Sequence, residues 1–513
     1  MAWHGAGSIN DLAAAGDKRI IRLSDRQILL IQRHGTLYAL DNRCPHEGYP
    51  LSEGTFSDDG CVLTCQWHNW KFDLVSGETL IGGDRLNRYP VRVTDGQIEI
   101  ELVEAPLAER RAQRLYTIEQ ALEDNDYGRL AREVARLGSL PGDVGAAVGR
   151  AVRWGAEFQE DGMGHAFGGA PDWLELADRS EDPAEKVAAL AEALGHIADE
   201  VRAGKRYPYA PGQCAWDADD FLAAIEAQQE EAALPSLRGA LKEGVPMLDL
   251  RRIFARAALA HYQDFGHSVI YTVAAFRLIE RLGPTIAEPV LLSLTRSLVR
   301  ATREDLIPEF KAYAPALSAW GAKAEAPRLS GAGLHRLGLK AQLNCVLGWS
   351  AQNRPQEILA VMVEGAARSL LAFDPAWDAR VDVKPGDNVT WLDFTHMLTF
   401  ADAARRLADS DPTLWPAVLL QMGCFLGRNA KYLLAEDLEP VAPTDPWAAI
   451  IDHGHGRFIH SVHRLKTLAA AERLIARYPA SASLIQAAVG RYLAAPIKQR
   501  HPLRVATQAL AMV

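Results

Sequence analysis

The pattern of apolar and polar positions changes once along the 513 residues of the chain. Up to residue 105, short runs rich in Ile, Leu, Val and Thr are bounded by Gly, Asp or Asn, which is typical of β-strands joined by tight turns. Strands are predicted over residues 20–23, 27–31, 36–40, 61–64 and 97–102. Residues 33–35 and 94–96, which each end in Gly, are predicted to be hairpin turns.

From residue 106 onward Ala, Leu, Arg and Glu dominate, and apolar residues recur at helical spacing. Breakers that contain Gly or Pro separate the segments. Helices are predicted over residues 183–204, 220–229, 248–260, 268–282, 289–304, 355–372, 395–410, 416–434, 458–477 and 481–494. We therefore predict a small all-β domain over residues 1–105. A large all-α domain over residues 106–513 is expected to hold the catalytic or substrate site.

Two short clusters carry the clearest chemical signal: Cys-x-His at residues 44–46 and Cys-x-x-His at residues 65–68. Two thiolates and two imidazoles are the ligands of a [2Fe–2S] centre whose two irons differ. Cys44 and Cys65 would hold one iron, and His46 and His68 would hold the other. Zinc is the competing metal, because a tetrahedral site of two sulfurs and two nitrogens also suits it. Zinc would leave the strand-rich surroundings unexplained.

Residues 44–51 and 65–73 resemble the two cluster-binding loops of Rieske [2Fe–2S] ferredoxins of the oxygenase-associated type. The resemblance is confined to the all-β part and implies one-electron transfer. High-potential Rieske proteins carry an extra Cys in each loop and a Ser shortly after the second His. Here neither extra Cys is present, and Trp70 stands in place of the Ser. With fewer hydrogen bonds to the cluster sulfurs, we expect a low reduction potential.

Composition and charge exclude several classes of function. The formal net charge of −10 argues against nucleic-acid binding. No run of eighteen apolar residues occurs, so no membrane anchor is predicted, and the N-terminus lacks the pattern of a secretory signal. Of the six cysteines, those outside the two clusters are scattered, which indicates buried thiols in a reducing cytoplasm.

A histidine pattern in the helical part predicts a second redox site. Three Asp-x-x-His sequences occur, at residues 264–267, 393–396 and 452–455. A spacing of three places both side chains on one helix face, and carboxylate–imidazole pairs from several helices build non-haem iron sites in bundle proteins. Such a site would bind Fe(II) and activate O2. The alternative is that these histidines cap helices or form hydrogen bonds within the core.

The residues that this pattern singles out form two overlapping sets. The predicted catalytic residues are His267, His396, Asp264 and Asp393. A possible second metal site, with non-haem Fe(II) as the favoured metal, would draw its ligands from His261, His267, His396, His455, His460 and His463.

A first resemblance in the helical part concerns Asp452, His455 and His460. They resemble the mononuclear iron motif of Rieske ring-hydroxylating oxygenases, which implies that both histidines bind iron. That family takes a third, carboxylate ligand far downstream and builds its catalytic domain on a sheet. Here Glu472 is the single acidic residue after His463, and the region is predicted to be helical.

A second resemblance covers more of the helical part. The surroundings of His165, residues 264–271 and residues 460–479 resemble the questin-oxidase-like family. The resemblance implies oxygen insertion into polyketide-type aromatic compounds. It agrees with oxygen chemistry on a bulky organic substrate, and no catalytic residue is taken from it.

Together these patterns predict a Rieske-dependent oxidoreductase of the monooxygenase type that uses O2 and a small organic substrate. No G-x-G-x-x-G or P-loop motif appears, so electrons are expected from an external NAD(P)H-dependent reductase or ferredoxin. One alternative is a non-enzymatic electron carrier or redox sensor fused to a helical binding module. Another is a haem site with a His axial ligand, which would be non-covalent because Cys-x-x-Cys-His is absent.

Overall fold

The computed structural model describes residues 3–23, 26–102, 105–201, 204–322, 327–436, 438–439 and 445–512. The chain divides into two compact units, Met1–Val144 and Gly145–Val513. Antiparallel sheets dominate the first unit and helices dominate the second. The predicted fold class, a small all-β domain followed by a large all-α domain, is confirmed.

The strands of the first unit form three antiparallel sheets, ordered β1-β11-β10, β2-β3-β4-β9 and β5-β6-β7-β8. The strands are β1 (Trp3–Ser8), β2 (Lys18–Leu23), β3 (Arg26–Arg33), β4 (Thr36–Asp41), β5 (Thr55–Phe56), β6 (Val62–Thr64), β7 (Lys71–Asp73), β8 (Thr79–Ile81), β9 (Arg88–Tyr89), β10 (Val91–Thr94) and β11 (Gln97–Glu101).

Both predicted hairpin turns are confirmed. His34 and Gly35 join β3 to β4 with φ of 46° and 78°, and Asp95 and Gly96 join β10 to β11 with φ of 49° and 75°. Two successive residues with positive φ make the turn that matches the right-handed twist of paired strands.

Strand β3 is buried on both faces, which explains its unbroken apolar run. Leu29 and Ile31 enter one apolar core, and Ile28 and Leu30 enter another on the opposite face because side chains alternate along a strand. The first of these cores also contains Cys44 and Cys65. The two predicted cysteine ligands therefore lie inside the domain.

Three helices complete the first unit: α1 (Ile9–Ala14), α2 (Leu107–Glu123) and α3 (Tyr127–Gly138). The side chain of Asp126 caps α3 by accepting the N–H of Arg129 at 2.9 Å. The predicted boundary at residues 105/106 coincides with the change from strands to helices. The compact unit nevertheless extends to Val144, because arginines of α3 form ion pairs with Asp84.

The second unit is built from helices, and no helix of the described residues combines the length and apolar character needed to cross a bilayer. The helices are α4 (Ala146–Gly155), α5 (His165–Arg179), α6 (Pro183–Glu200), α7 (Ala218–Glu226), α8 (Glu230–Glu243), α9 (Met247–Leu259), α10 (His267–Leu282), α11 (Ala287–Val299), α12 (Tyr313–Ser318), α13 (Leu339–Ser350), α14 (Pro355–Ala372), α15 (Ala376–Ala379), α16 (Trp391–Ser410), α17 (Trp415–Asn429), α18 (Ala448–Ile451), α19 (Phe458–Arg477), α20 (Ala482–Ala494) and α21 (Pro502–Leu510).

Four of these helices close a ring at the centre of the unit. Helix α5 packs on α10, α10 on α16, α16 on α19, and α19 on α5. A ring of four helices brings one side chain from each toward a common interior, which is how bundle proteins build cofactor sites. The spans of α10, α16 and α19 agree with the predicted helices, whereas α5 was not predicted.

Small residues on α5 allow its two neighbours in the ring to come close. A Cβ atom on Gly169 would lie 2.0 Å from Cγ2 of Val462 on α19. A Cβ atom on Gly168 would lie 2.7 Å from the ring of Tyr271 on α10. Glycine is therefore required at both positions by close packing.

Candidate functional site

The first candidate site is formed by two loops of the first unit. The loop after β4 is closed by the Cys44 N–H, which donates to the Tyr49 carbonyl at 2.8 Å, and by the Gly48 N–H, which donates to the Cys44 carbonyl at 2.8 Å. In the loop between β6 and β7 the Cys65 N–H donates to the Trp70 carbonyl at 2.8 Å. These bonds fix both cysteines at the base of tight loops.

The four predicted ligands are sorted by burial. Cys44 and Cys65 are 3% and 1% exposed, whereas the side chains of His46 and His68 are 20% and 37% exposed. The Nδ1 atoms of the two histidines are 3.1 Å apart, and each Nε2 atom lies within 3.9 Å of the Glu47 carboxylate. The Nδ1 atoms are therefore free to bind one iron at the outer edge of the domain.

The donor chemistry of these loops fits a [2Fe–2S] cluster. Burial raises the pKa of the Cys44 thiol to about 11, so a thiolate is stable there only beside a cation, which an iron supplies. Two sulfurs inside and two imidazoles outside match a cluster with chemically different irons. The Trp70 ring stacks on His46 at 4.4 Å and further limits the motion of that ligand.

The second candidate site lies inside the ring of helices α5, α10, α16 and α19. Each helix contributes one histidine to a cluster whose ligand atoms all lie within 4.8 Å of one another: His165, His267, His396 and His463. Nε2 of His267 is 3.1 Å from Nε2 of His165 and 3.0 Å from Nε2 of His396. Nitrogens bound at about 2.1 Å to one ion lie no more than about 4.2 Å apart, so the cluster is close to the size of a single-ion site.

The outer nitrogens of this four-histidine cluster are all engaged. Nδ1 of His267 donates to the Asp264 carbonyl at 2.7 Å. Nδ1 of His396 donates to the Leu392 carbonyl at 2.6 Å, and Nδ1 of His463 donates to the Ile459 carbonyl at 2.6 Å. Nδ1 of His165 lies 3.2 Å from the Tyr271 hydroxyl. Because a carbonyl can only accept, these bonds place the proton on Nδ1 and leave the Nε2 lone pair for a metal.

The histidines of the cluster are neutral over the ordinary pH range. Burial lowers the pKa of His267 to about 4. Burial also holds the pKa values of the other three well below the usual range, and the neighbouring imidazoles and Lys466 add to this effect. Neutral imidazole is the form that binds metals. No carboxylate of a described residue joins the cluster.

Ionisable groups surround the cluster without entering it. Burial lowers the pKa of Lys466, one turn after His463, to about 8. Burial raises the pKa of Glu200 to about 7. The Glu200 carboxylate accepts the N–H of Ala166 at 2.8 Å and so caps the start of α5, where His165 lies.

The structure brings together three of the six histidines predicted for a second metal site: His267, His396 and His463. It places the others elsewhere. His261 contacts Glu226 at 2.6 Å and Asp305 at 3.2 Å. His455 and His460 lie beside each other, with ring centroids 6.0 Å apart, outside the four-histidine cluster.

The two predicted catalytic aspartates lie next to the cluster in sequence, but their carboxylates do not join it. Asp264 orients His267 through its backbone carbonyl, and burial raises the pKa of its carboxyl to about 7. The Asp393 carboxylate caps α16 by accepting the Thr390 N–H at 2.8 Å. It also pairs with Arg428 at 3.2 Å.

Sequence reasoning missed His165 as a member of the four-histidine cluster. No aspartate precedes it by three residues, since Gly162 holds that position, so the pattern that found His267 and His396 does not include it. Its one sequence signal is the run of small residues that follows, which predicts close helix packing rather than metal binding.

The fold and ligand set of the first unit define a Rieske iron–sulfur protein. The family of Rieske [2Fe–2S] domains matches residues 2–84. The chain belongs to this family through its first unit. Its two cysteines and two histidines are the residues that would hold the [2Fe–2S] cluster implied by the family.

Among its relatives is the ferredoxin component of the alkene monooxygenase system of Xanthobacter autotrophicus. It is 30% identical over 86 residues, which cover 17% of this chain and 70% of that protein. The 3-phenylpropionate/cinnamic acid dioxygenase ferredoxin subunit of Shigella flexneri is 40% identical over 80 residues, which cover 15% of this chain and 74% of that protein. The terminal oxygenase of carbazole 1,9a-dioxygenase from Nocardioides aromaticivorans, a solved structure, is 26% identical with a TM-score of 0.19, over 20% of this chain and 31% of that chain.

These matches identify the first unit as a Rieske electron-transfer domain related to the ferredoxin components of oxygenase systems. They favour the [2Fe–2S] cluster over zinc at these ligands. The resemblance of the helical part to the questin-oxidase-like family has no support from these comparisons.

Proposed function

We propose that this protein is a Rieske-dependent oxidoreductase of the monooxygenase type. In this proposal an external NAD(P)H-dependent reductase or ferredoxin reduces the [2Fe–2S] cluster of the first unit. The electrons are then used at a metal ion in the four-histidine cluster of the second unit, where O2 oxidises a small organic substrate. The observation that carries the proposal is the convergence of four imidazole nitrogens, from two buried and two half-buried histidines, in a chain that also contains a Rieske domain.

The relatives of the first unit support the electron-transfer half of the proposal. Two of them are named as ferredoxin components of oxygenase systems, one for alkene monooxygenation and one for an aromatic acid dioxygenase. When bound, the cluster supplies electrons one at a time. Its predicted histidine ligands lie at the exposed edge of the domain. An electron passing between the cluster and a redox partner has a shorter path through this side than through the buried cysteines.

The ligand set of the second unit supports a redox-active divalent metal. Imidazole suits Fe, Cu, Ni and Zn alike, so the nitrogens alone do not select among them. A Rieske domain can deliver electrons only to a metal that changes oxidation state, and zinc does not. Four neutral ligands leave the charge of the ion uncompensated, and this stabilises Fe(II) over Fe(III). We therefore propose non-haem Fe(II).

The side chains of the second unit position and shield such an ion. The Nδ1 hydrogen bonds fix the histidine rings. The ring of Phe265 lies 5.1 Å from the His396 ring and 5.3 Å from the Phe425 ring, so aromatic carbon covers one side of the cluster and excludes water there. The hydroxyl of Tyr271 lies beside the His165 ring.

The proposed reaction balances with the partners named. One oxygen atom of O2 enters a C–H bond of the substrate, and the other leaves as water. Each turnover takes two electrons and two protons. The external reductase supplies the electrons, and solvent supplies the protons.

The proposal is tested by metal analysis with element identity on protein purified without oxygen. We expect iron for one cluster and one further metal ion per chain. Cys65→Ser should lose the cluster and keep the further metal, whereas His396→Ala should keep the cluster and lose the further metal. His261→Ala, which alters a histidine outside the cluster, is the matched control.

The outcomes separate the proposal from its alternatives. Cluster iron with no further metal in the wild-type protein would overturn the proposal and leave an electron carrier or redox sensor fused to a helical module. A strong Soret band would indicate haem instead. As a second readout, dithionite-reduced protein is mixed with O2 and the visible band of the cluster is followed. The cluster should be reoxidised more slowly in His396→Ala than in wild type or His261→Ala.

A further inference from the structure

A buried ion-pair network joins helix α3 to the Rieske loops. Asp84 is 3% exposed, and its carboxylate lies 3.1 Å from Nε of Arg129, 3.1 Å from Nε of Arg132 and 2.9 Å from Nη1 of Arg136. Asp84 is the last residue of the family match. The arginines belong to α3, which the family match does not include, so they are an addition to the Rieske domain in this chain.

One member of the network reaches the cluster loop directly. The other guanidinium nitrogen of Arg136 donates to the carbonyl of Pro45, the residue between the ligands Cys44 and His46. Arg132 and Arg136 also line a groove of about 710 Å³ whose wall includes Cys44 and His46. The two guanidinium groups therefore border the same space as the histidine side of the cluster site.

The network has more positive than negative charge. Its members are Arg114, Arg129, Arg132 and Arg136 against Asp84, Asp124 and Glu133. The side chain of Asp124 is 63% exposed, so solvent screens its charge. A guanidinium group cannot be deprotonated in a protein. The positive charges of Arg132 and Arg136 beside the Pro45 loop are therefore permanent.

We infer that Arg132 and Arg136 are positioning residues of the Rieske site that raise its reduction potential. One-electron reduction adds one negative charge to the cluster. A fixed positive charge nearby stabilises the reduced form more than the oxidised form. The hydrogen bond from Arg136 to Pro45 holds this charge at a set distance from the ligand loop. The inference rests on the cluster alone and not on the metal proposed for the second unit.

The experiment measures the midpoint potential of the full-length, cluster-loaded protein by spectroelectrochemical titration with dithionite and mediators. Arg136→Gln and Arg132→Gln should each shift the potential downward, and the double variant should make reduction about tenfold less favourable, ~59 mV for a one-electron couple. Asp84→Asn removes a negative charge from the same network and should shift the potential upward. Opposite shifts from neighbouring substitutions are a readout that loosened packing alone does not produce.

Matched controls separate charge from packing. Arg111→Gln removes a positive charge from α2, where Arg111 donates to the Pro141 carbonyl at 3.0 Å, away from the Asp84 network, and should leave the potential unchanged. Arg136→Lys keeps the positive charge, so its midpoint potential should stay close to that of the wild-type protein. The EPR g-values should be the same in all variants, because the iron ligands are unchanged.

Two results would overturn the inference. One is a double variant with the potential of wild type. The other is Arg136→Lys with the same downward shift as Arg136→Gln, since the charge would then be irrelevant. If Asp84→Asn fails to fold, the comparison of Arg132→Gln, Arg136→Lys and Arg111→Gln still decides the question. A failure here leaves the metal counts of the four-histidine variants unaffected, so the two proposals fail separately.

Discussion

His267 and His396 lie 129 positions apart in the chain, yet their Nε2 atoms are 3.0 Å apart. In each ring the Nδ1 proton is donated to a backbone carbonyl, so in the neutral state both Nε2 atoms carry lone pairs. Two acceptors at this distance repel each other unless a cation lies between them. The burial that keeps both rings neutral therefore makes a metal ion the natural partner of the pair.

Tyr271 offers a way to change the surroundings of the proposed metal site by mutation. Three ligands are oriented by backbone carbonyls, which substitution cannot remove, but His165 is oriented by the Tyr271 hydroxyl at 3.2 Å. Tyr271→Phe should weaken metal binding by about 10- to 100-fold, the usual effect of losing an outer-shell partner. Competition with a metal-binding dye measures the affinity.

The control for this prediction is Tyr262→Phe. Tyr262 is also buried, but its hydroxyl has no hydrogen-bond partner among the residues that the structure describes. If both variants bind metal as tightly as wild type, the Tyr271 hydroxyl does not orient His165.

Gly169 sets the distance between α5 and α19 and hence between His165 and His463. Gly169→Ala should destabilise the second unit by about 1–3 kcal/mol, the usual cost of overpacking, and should weaken metal binding, because its Cβ would meet Val462 at 2.0 Å. Denaturant unfolding and metal analysis measure the two effects.

A second substitution makes this prediction specific. Val462→Ala removes the atom that the new Cβ would meet, so the double variant should recover much of both the stability and the metal. If the stability losses of the two substitutions simply add in the double variant and the metal is not recovered, the two helices do not meet at this pair of residues.

Glu304 gives the second unit a pH-dependent stability. Burial raises its pKa to about 7, so the native state holds the proton more tightly than the unfolded state does. The stability from this group is complete below the unfolded pKa of about 4.3 and is lost as the pH rises through 7. The Glu304 carboxylate accepts the Phe265 N–H at 3.1 Å. In Glu304→Gln the side chain cannot ionise, but its amide oxygen can still accept this hydrogen bond.

We therefore expect Glu304→Gln to be more stable than wild type at pH 8 and close to it at pH 5, by urea unfolding followed by circular dichroism. Glu309→Gln, at a nearby exposed position, is the matched control. Equal stability of Glu304→Gln and wild type at both pH values would contradict the prediction.

Removal of the metal should destabilise the second unit selectively. A ligand at 1,000 times its Kd stabilises the native state by about 4 kcal/mol. Chelation should therefore lower the Tm of the helical transition in wild type and leave it unchanged in His463→Ala. His460→Ala alters a histidine of the same helix outside the cluster and should respond as wild type does. A chelator effect that persists in His463→Ala would place the stabilising ion elsewhere.

The Rieske domain could be recognised from the sequence because its two Cys/His motifs are local. Each loop carries its own Cys and His within two or three positions, and hairpins whose turns can be recognised hold the loops. Strand β3 was also predictable, since a run of four apolar residues between turn residues fits a strand buried on both faces.

The four-histidine cluster could be predicted only in part. The Asp-x-x-His pattern found His267 and His396. It was expected to pair each imidazole with a carboxylate, but backbone carbonyls orient both rings. At His267 the aspartate contributes its backbone carbonyl, and at His396 the carbonyl comes from Leu392. The sequence around His165 indicates close helix packing and not metal binding. Which histidines meet depends on how four separate helices pack, and contacting histidines lie as far as 102 and 129 positions apart in the sequence.

The order of the ligands along the chain has a consequence for biosynthesis. His165 is synthesised before α10, α16 and α19, and α19, Phe458–Arg477, is the last of the four ring helices in chain order. A nascent chain without α19 presents three histidines and lacks the helix that closes the ring. If the proposed ion binds there, all four histidines can hold it only after α19 has been made, and chains truncated before α19 should lack it.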